Sequence, residues 1–301
     1  VIPVYHKSLP LAYLLLGDLD ENALKISPII KNLNFIQTLT NIITVAIENK
    51  RLAKETIKQE RLNKELELAR EMQEFLLPKE FPNTVRYQFS ALYLPHQQVG
   101  GDYYDFIPLS DEEFAFCIAD VSGKGVPAGL LMSNFQASLR VLIKSNSDLK
   151  FLIKELNDIV NQNAKGERFI TFFIAKYHIK KRTLEYVNAA HPHPLLYNRN
   201  KVEALSKGSI GIGMLEHIPQ IETGMVHVAE NSTIVCYTDG VTETVNPEEE
   251  QFGEQRLSEF LQNHYHLPAD KLNEKLIEYL NDFKQTEPYA DDIALLSGRF
   301  F

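Results

Sequence analysis

Phe114-Ala115-Phe116-Cys117-Ile118-Ala119-Asp120-Val121-Ser122-Gly123-Lys124-Gly125-Val126-Pro127-Ala128 runs from an unbroken apolar stretch into a carboxylate, then a glycine-rich turn, then a proline. An apolar run of this length, bounded by turn residues, reads as a strand. Pro127 suits the first turn of a helix, where its missing N–H costs no hydrogen bond. The stretch is thus strand, acid, turn and helix in succession. The same placement of an acid recurs three times. Ile234-Val235-Cys236-Tyr237 leads through Thr238 into Asp239-Gly240, and Asp291-Asp292 opens Ile293-Ala294-Leu295-Leu296. Asp102 follows Gly100-Gly101 and heads Tyr103-Tyr104-Asp105-Phe106-Ile107. Two of these acids close strands and two open them. Antiparallel neighbours set the end of one strand beside the start of the next, so the four can meet at one edge of a sheet. Clustered carboxylates repel unless a positive charge holds them, and a divalent cation is the usual solution. Taken singly, each Asp would be an ordinary turn residue; the functional reading rests on their shared position.

Around this stretch the pattern predicts strands near 87–94, 102–107, 113–119, 169–179, 183–188, 194–197, 221–228, 233–238 and 292–300. It predicts helices over 127–144, 148–164, 253–264 and 269–284. Strands and helices come in blocks, which indicates an α+β domain of antiparallel sheets with helices packed outside.

Upstream, residues 1–33 are strand-like and loop-like, strongest at Pro10 to Gly17, and are too few for an independent core. From Ile29 to Leu77 there is neither Gly nor Pro, helix formers dominate from about Asn34, and Pro78 ends the run. A helix of that length suggests a connector or coiled coil. Phe35, Ile36, Leu39, Ile42, Ile43, Ala46 and Ile47 form an apolar face. Leu62, Leu66, Ala69, Gln73 and Leu76 alternate steps of four and three, as a coiled coil requires. Backward extension of that seam meets Gln59 and Glu55. Two readings stand: a helix that packs on its own domain, or a linker that dimerises.

The chain has 301 residues, 44% of them hydrophobic, and a formal net charge of −9. That charge disfavours a nucleic-acid or anionic-membrane partner. Two cysteines, Cys117 and Cys236, each inside an apolar run, read as core residues of a protein from a reducing compartment. No apolar stretch reaches the ~18 residues a membrane span needs. Gly123-Lys124 before a helix evokes a phosphate loop, but Gly125 follows where Ser or Thr is required and no earlier Gly stands at the right distance. His191-Pro192-His193-Pro194 reads as a structural loop, with no third His or Cys nearby to complete a metal site. There is no Gly-x-Ser-x-Gly elbow for a serine nucleophile.

From about Leu62 onward the sequence resembles the SpoIIE-like (RsbU-type) metal-dependent serine/threonine phosphatases of the type 2C (PPM) class. Ala-Arg-Glu-Met-Gln (69–73), Leu-Leu-Pro (76–78), Val-Gly-Gly-Asp-Tyr-Tyr-Asp (99–105) and Ala-Asp-Val-Ser-Gly-Lys-Gly-Val-Pro-Ala (119–128) carry the resemblance. So do Phe-Ile-Thr-Phe-Phe (169–173), Asn-Ala-Ala-His-Pro (188–192), Tyr-Thr-Asp-Gly-Val-Thr-Glu (237–243), Phe-Gly (252–253) and Asp-Asp-Ile-Ala-Leu-Leu (291–296), all in family order. The resemblance implies a four-layer α/β/β/α sandwich with two manganese or magnesium ions at one edge. Asp120 matches the carboxylate bridging both ions. Val121, through its carbonyl, and Asp102 match ligands of the second. Asp239 and Asp291 match ligands of the first, with Asp292 the less favoured substitute. An all-oxygen donor set agrees with hard ions. Two departures stand out. Ala190 replaces the usual Gly of Asn-Ala-Gly-His, and Lys124 sits where relatives often have His. Ser122 and Lys124 surround the place of the general acid in eukaryotic relatives, so no acid is assigned.

Residues 1–50 are similar to the end of a GAF sensory domain. The expected organisation is therefore a GAF-like fragment over 1–46, a coiled-coil linker helix over 47–78 and a phosphatase domain over 79–301. The implied protein is cytoplasmic and dimerises through the linker. It uses a metal-activated water to hydrolyse phosphoserine or phosphothreonine on a STAS-domain anti-anti-sigma factor. The rival is a non-catalytic dimeric signalling module that only binds a partner.

Overall fold

The computed structural model describes residues 2–6, 9–16, 31–96, 99–146 and 148–301. The chain divides into two units, residues 1–65 and 66–301. In the first, β1 (Ile2–His6) and β2 (Leu9–Leu14) pair antiparallel. Within the stretch 1–46 expected to be GAF-like, residues 1, 7–8 and 17–30 lie outside the described residues. The first unit also holds most of α1 (Leu33–Glu74), the long helix expected from the absence of Gly and Pro. Arg51 pairs with both Glu48 and Glu55, and Arg61 with Glu65, neighbours along one helical face. Its N-terminal apolar residues stay uncovered: Phe35, Ile42 and Ile47 are 70%, 62% and 65% exposed. The proposed seam divides. Leu62 is exposed, Leu66 and Ala69 are half-buried, Gln73 is buried, and Leu76 packs on the core of the second unit. The last turns of α1 thus serve their own domain.

The second unit is built on two sheets. One has the order β10-β7-β6-β5-β4, with β11 also on β7. Its strands are β4 (Tyr103–Pro108), β5 (Glu113–Val121), β6 (Ile170–His178), β7 (Thr183–Ala189), β10 (Gly208–Ser209) and β11 (Gly224–His227). The other has the order β3-β13-β12-β8-β9, from β3 (Tyr87–Leu94), β8 (Leu195–Asn198), β9 (Lys201–Ala204), β12 (Ser232–Tyr237) and β13 (Ile293–Phe300). All pairings within these sheets are antiparallel except the two-residue β10–β7 contact. Helices α2 (Val126–Ser145) and α3 (Leu149–Ala164) contact the first sheet. Beyond a short turn α4 (Asp239–Thr242), helices α5 (Gly253–His264) and α6 (Ala269–Lys284) contact the second. The mixed α+β sandwich expected from the block pattern is the observed architecture.

The continuous apolar runs have a simple cause. Alternate residues of a strand face opposite sides of its sheet. On β12, Ile234 and Cys236 face the main core between the sheets, while Val235 and Tyr237 face a second core under α5 and α6. On β13, Ala294 and Leu296 join the first core, and Ile293 and Leu295 the second. Sheets covered on both sides need no polar alternation. Cys117 and Cys236 are free buried thiols whose pKa values burial pushes up, as core residues should be. Among the described residues no helix is long and apolar enough to cross a membrane.

Candidate active site

The acids converge because antiparallel pairing returns each strand to the same edge. Asp120 is the penultimate residue of β5, opposite Thr171 on β6. Asp102 immediately precedes β4, whose Tyr103 pairs with Ala119. Asp239 follows β12 and starts the α4 turn, while Asp291 and Asp292 precede β13, its neighbour. Asp120, Val121, Asp239, Asp291 and Asp292 line one cleft of about 300 Å³. Asp102 is buried nearby, its Oδ2 accepting a 2.8 Å hydrogen bond from the Thr238 hydroxyl. Thr238 Oγ1 in turn accepts from the Ala294 N–H at 2.9 Å, so one side chain ties Asp102 to both β12 and β13. A larger cleft, about 620 Å³, lies between the end of α1 and β3. Among the described residues its lining carboxylates are Glu74 and Asp270, so the clustered acids lie in the smaller one.

Two adjacent glycines make this approach possible. A Cβ on Gly101 would lie 2.7 Å from the Val121 carbonyl oxygen, and one on Gly100 would lie 1.9 Å from the Tyr93 hydroxyl. The Val-Gly-Gly-Asp segment threads a gap that a side chain would close.

The two C-terminal acids have different partners. Asp292 is spoken for: its Oδ1 accepts from the His96 N–H at 2.6 Å, and its Oδ2 from the Gly101 N–H at 3.3 Å. It anchors the loop that carries Asp102. Asp291 is half-buried and faces the cleft, and its Oδ2 meets the Lys124 ammonium at 2.7 Å. The Asp291 Oδ1 accepts from the Asp292 N–H at 2.8 Å, and both acids line the cleft.

Electrostatics mark the site more sharply than any distance. Burial, then the charge of Asp120, then that of Asp292, raises the Asp102 carboxyl well above its ordinary range. Burial, then Asp239, then Asp291, pushes Asp120 up to about 7. Asp239 is raised by burial first and by Glu243 and Asp291 after it. These groups oppose one another's ionisation, and a positive charge among them would relieve the conflict. Their donor atoms are all oxygens, which suits manganese or magnesium. Among the described residues, no three acidic, histidine or cysteine side chains converge on one ion-sized point. The donor chemistry fits divalent cations, and the side chains would have to turn inward to share them.

The histidine loop is structural, as read from its prolines. His191 is buried; its Nε2 lies 3.1 Å from the Tyr237 carbonyl and its Nδ1 2.9 Å from the Thr171 hydroxyl. A carbonyl only accepts, so Nε2 carries the proton and Nδ1 accepts from Thr171. His191 thereby joins the strand beside Asp120 to the strand that ends at Asp239. Sequence reasoning missed this bridge, the Thr238 tether and the Lys124–Asp291 pair, since each links residues far apart in the chain.

The sequence profile of the family described as stage II sporulation protein E (SpoIIE) matches residues 110–301. The chain belongs to the SpoIIE family. This SpoIIE-family chain is 31% identical over 187 residues to the phosphoserine phosphatase RsbU of Bacillus subtilis, covering 62% of the chain and 55% of RsbU. It therefore spans about half the length of that relative. Its fold is similar to the SiaA-PP2C domain of Pseudomonas aeruginosa, with a TM-score of 0.70 at 20% identity over 81% of this chain and 98% of that one. It is also similar to RsbX in complex with magnesium, with a TM-score of 0.54 at 18% identity over 74% of this chain and 99% of that one.

Proposed function

We propose that this protein is a metal-dependent phosphoprotein phosphatase that hydrolyses phosphoserine or phosphothreonine. The observation that carries the reading is one cleft where half-buried Asp120 and Asp239 meet Asp291, with buried Asp102 beside it, carboxylates from both sheets that raise one another's pKa. Asp120, Asp239, Asp291, Asp102 and the Val121 carbonyl would together hold two manganese or magnesium ions. Bound there, the ions supply a nucleophilic water at neutral pH and offset the charge on the phosphoryl oxygens. The protein holds the donors in place: Thr238 orients Asp102, and Asp292 fixes the loop before it. Similarity to RsbU, named a phosphoserine phosphatase, supports the activity, and the magnesium complex of RsbX supports the class of ion.

The substrate in this reading is a phosphorylated STAS-domain anti-anti-sigma factor in the cytoplasm. The exposed apolar stretch of α1 is assigned to a dimer, through which a GAF-like sensor would act on the phosphatase domain. Manganese-dependent hydrolysis of a phosphoseryl peptide tests the activity. D120A and D239A should each lower turnover by about a thousandfold or more while melting cooperatively, the scale expected when groups that stabilise transition-state charge are lost. Unchanged turnover in both variants refutes the site assignment, and absence of manganese-dependent turnover by the wild-type protein favours a binding module.

A further inference from the structure

Lys124 is the single cation among the described residues that line the acidic cleft. Its Nζ lies 2.7 Å from Asp291 Oδ2 and also donates to the Ala290 carbonyl at 3.2 Å. It therefore rests on a carboxylate oxygen that faces the cleft. We propose that Lys124 contacts the substrate's phosphoryl group, parking on Asp291 in the metal-free protein and moving to the phosphoryl oxygens once a divalent cation engages Asp291. This rests on the phosphatase reading and adds a substrate-binding residue to it.

The loop is anchored on both sides of Lys124. Ser122 is pinned: its N–H donates to the Phe169 carbonyl at 2.9 Å, and its carbonyl accepts from Arg168 Nη1 at 2.6 Å. Gly125 is pinned too, its carbonyl accepting from the Ala128 and Gly129 N–H groups at the start of α2. Between these anchors Lys124 stands between two glycines at positive φ, 88° for Gly123 and 77° for Gly125. A Cβ on Gly125 would meet nothing within 4 Å, so the side of the loop after Lys124 is open, while Arg168 packs against Gly123 before it. Arg168, just before β6, packs against this loop, is engaged with the Ser122 carbonyl and lies outside the cleft lining.

The parked pair is weak enough to exchange. The Lys124 and Asp291 side chains are 42% and 35% exposed, and pairs in such settings contribute little. A divalent ion attracts Asp291 more strongly than an ammonium does, and its arrival frees Lys124. A phosphoseryl group brings roughly −1.5 to −2 charge and three acceptor oxygens. Lysine binds phosphate as a mobile point charge on a flexible stem, which is what the loop provides.

Two measurements on K124A and K124R test the assignment. Calorimetric titration of manganese into metal-free protein, without substrate, should show K124A binding the ion roughly two- to fivefold more tightly, the range expected for loss of a half-exposed ion pair. With manganese saturating, KM for a phosphoseryl peptide should rise about tenfold or more in K124A, as for a lost hydrogen bond to a charged group, with a much smaller fall in kcat. K124R, which keeps the charge, should recover most of the KM. An unchanged KM or an unchanged manganese affinity in a K124A protein that melts like wild type overturns the proposal. Absence of turnover by the wild-type protein would refute the phosphatase reading and this inference with it. Wild-type turnover beside an unaltered K124A KM refutes this inference alone.

Discussion

Gln73, one residue before the end of α1, grips Gly100 at both of its backbone groups. The Gln73 Nε2 donates to the Gly100 carbonyl at 2.7 Å, and the Gly100 N–H donates to Gln73 Oε1 at 3.2 Å. Gly100 lies two residues before Asp102, so the last turn of the long helix holds the segment that delivers a cleft carboxylate. An amide is the side chain that can donate and accept at once in a buried place.

Replacing Gln73 with Leu keeps the bulk and removes both bonds. The buried donor and acceptor of Gly100 are then left unmade, at a cost of about 1–3 kcal/mol each before any rearrangement. We expect Q73L to melt below wild type and to bind manganese more weakly, because Asp102 loses its register with Asp120. Thermal melting and manganese calorimetry check this. A Q73L protein with unaltered manganese affinity would show that Gly100 is held adequately by its other neighbours.

A proton and a metal ion should compete in the cleft, and the sign of that competition is fixed. The Asp120 carboxyl is raised from 3.8 to about 7 in the folded protein. Its protonated form is favoured on folding, so this stabilisation is complete below about pH 4 and is lost as pH rises through about 7. Metal-free D120N, which cannot ionise there, should gain stability over wild type as pH is raised from 5 to 8. Added manganese should stabilise wild type increasingly over the same range and D120N far less. Melting curves at several pH values, with and without manganese, read both trends, and parallel pH profiles for the two proteins would contradict the account.

The frame of this domain was legible because its central strands carry unbroken apolar runs between turn residues, and these runs proved to be strands covered on both faces. β9 was not foreseen. Lys201-Val202-Glu203-Ala204 is a largely exposed edge strand, and nothing in its pattern distinguishes it from a loop. The α4 turn, four residues long, is too short to show a helical period. The acids were recognisable from their placement at strand ends. Their supports were not, because Thr238 reaches Asp102 across 136 positions of sequence and Gln73 reaches Gly100 across 27. Only the sheet order brings such pairs together. Asp291 and Asp292 are adjacent and chemically identical, and nothing in the sequence shows that the first pairs with Lys124 while the second accepts from His96 and Gly101.

His191 supplies an acid sensitivity of its own. Burial lowers its pKa from 6.5 to about 3, because the folded site accommodates the neutral ring. The unfolded chain takes up a proton near pH 6.5 that the folded protein refuses until about pH 3, so this residue costs stability as pH falls through that window. H191N, lacking the titrating group, should show a shallower loss of stability between pH 6.5 and 4, by at most about 1.4 kcal/mol per pH unit. It should also start from lower stability at pH 7.5, since the bridge between Thr171 and Tyr237 is gone. Urea unfolding across the range measures both, and equal slopes for the two proteins would locate the acid sensitivity elsewhere.

Ala190 tests whether the departure from the family's Asn-Ala-Gly-His pattern has an energetic consequence. Its φ is 55°, in the left-handed region, and its side chain is exposed. Asn188 sets this turn: its Oδ1 accepts from the His191 N–H at 2.8 Å, which forces the chain to reverse within two residues. An L-residue pays roughly 1–2 kcal/mol for the left-handed conformation, which glycine adopts freely. Glycine also gives the unfolded chain more freedom, which returns about 0.4–1 kcal/mol of that gain. The difference predicts that A190G stabilises the domain by about 0.5–1 kcal/mol, seen as a higher urea midpoint at unchanged slope. Turnover should be unaffected, because the backbone that places His191 is already in the glycine-like conformation. A destabilised A190G would mean that the unfolded-state entropy outweighs the strain at this turn.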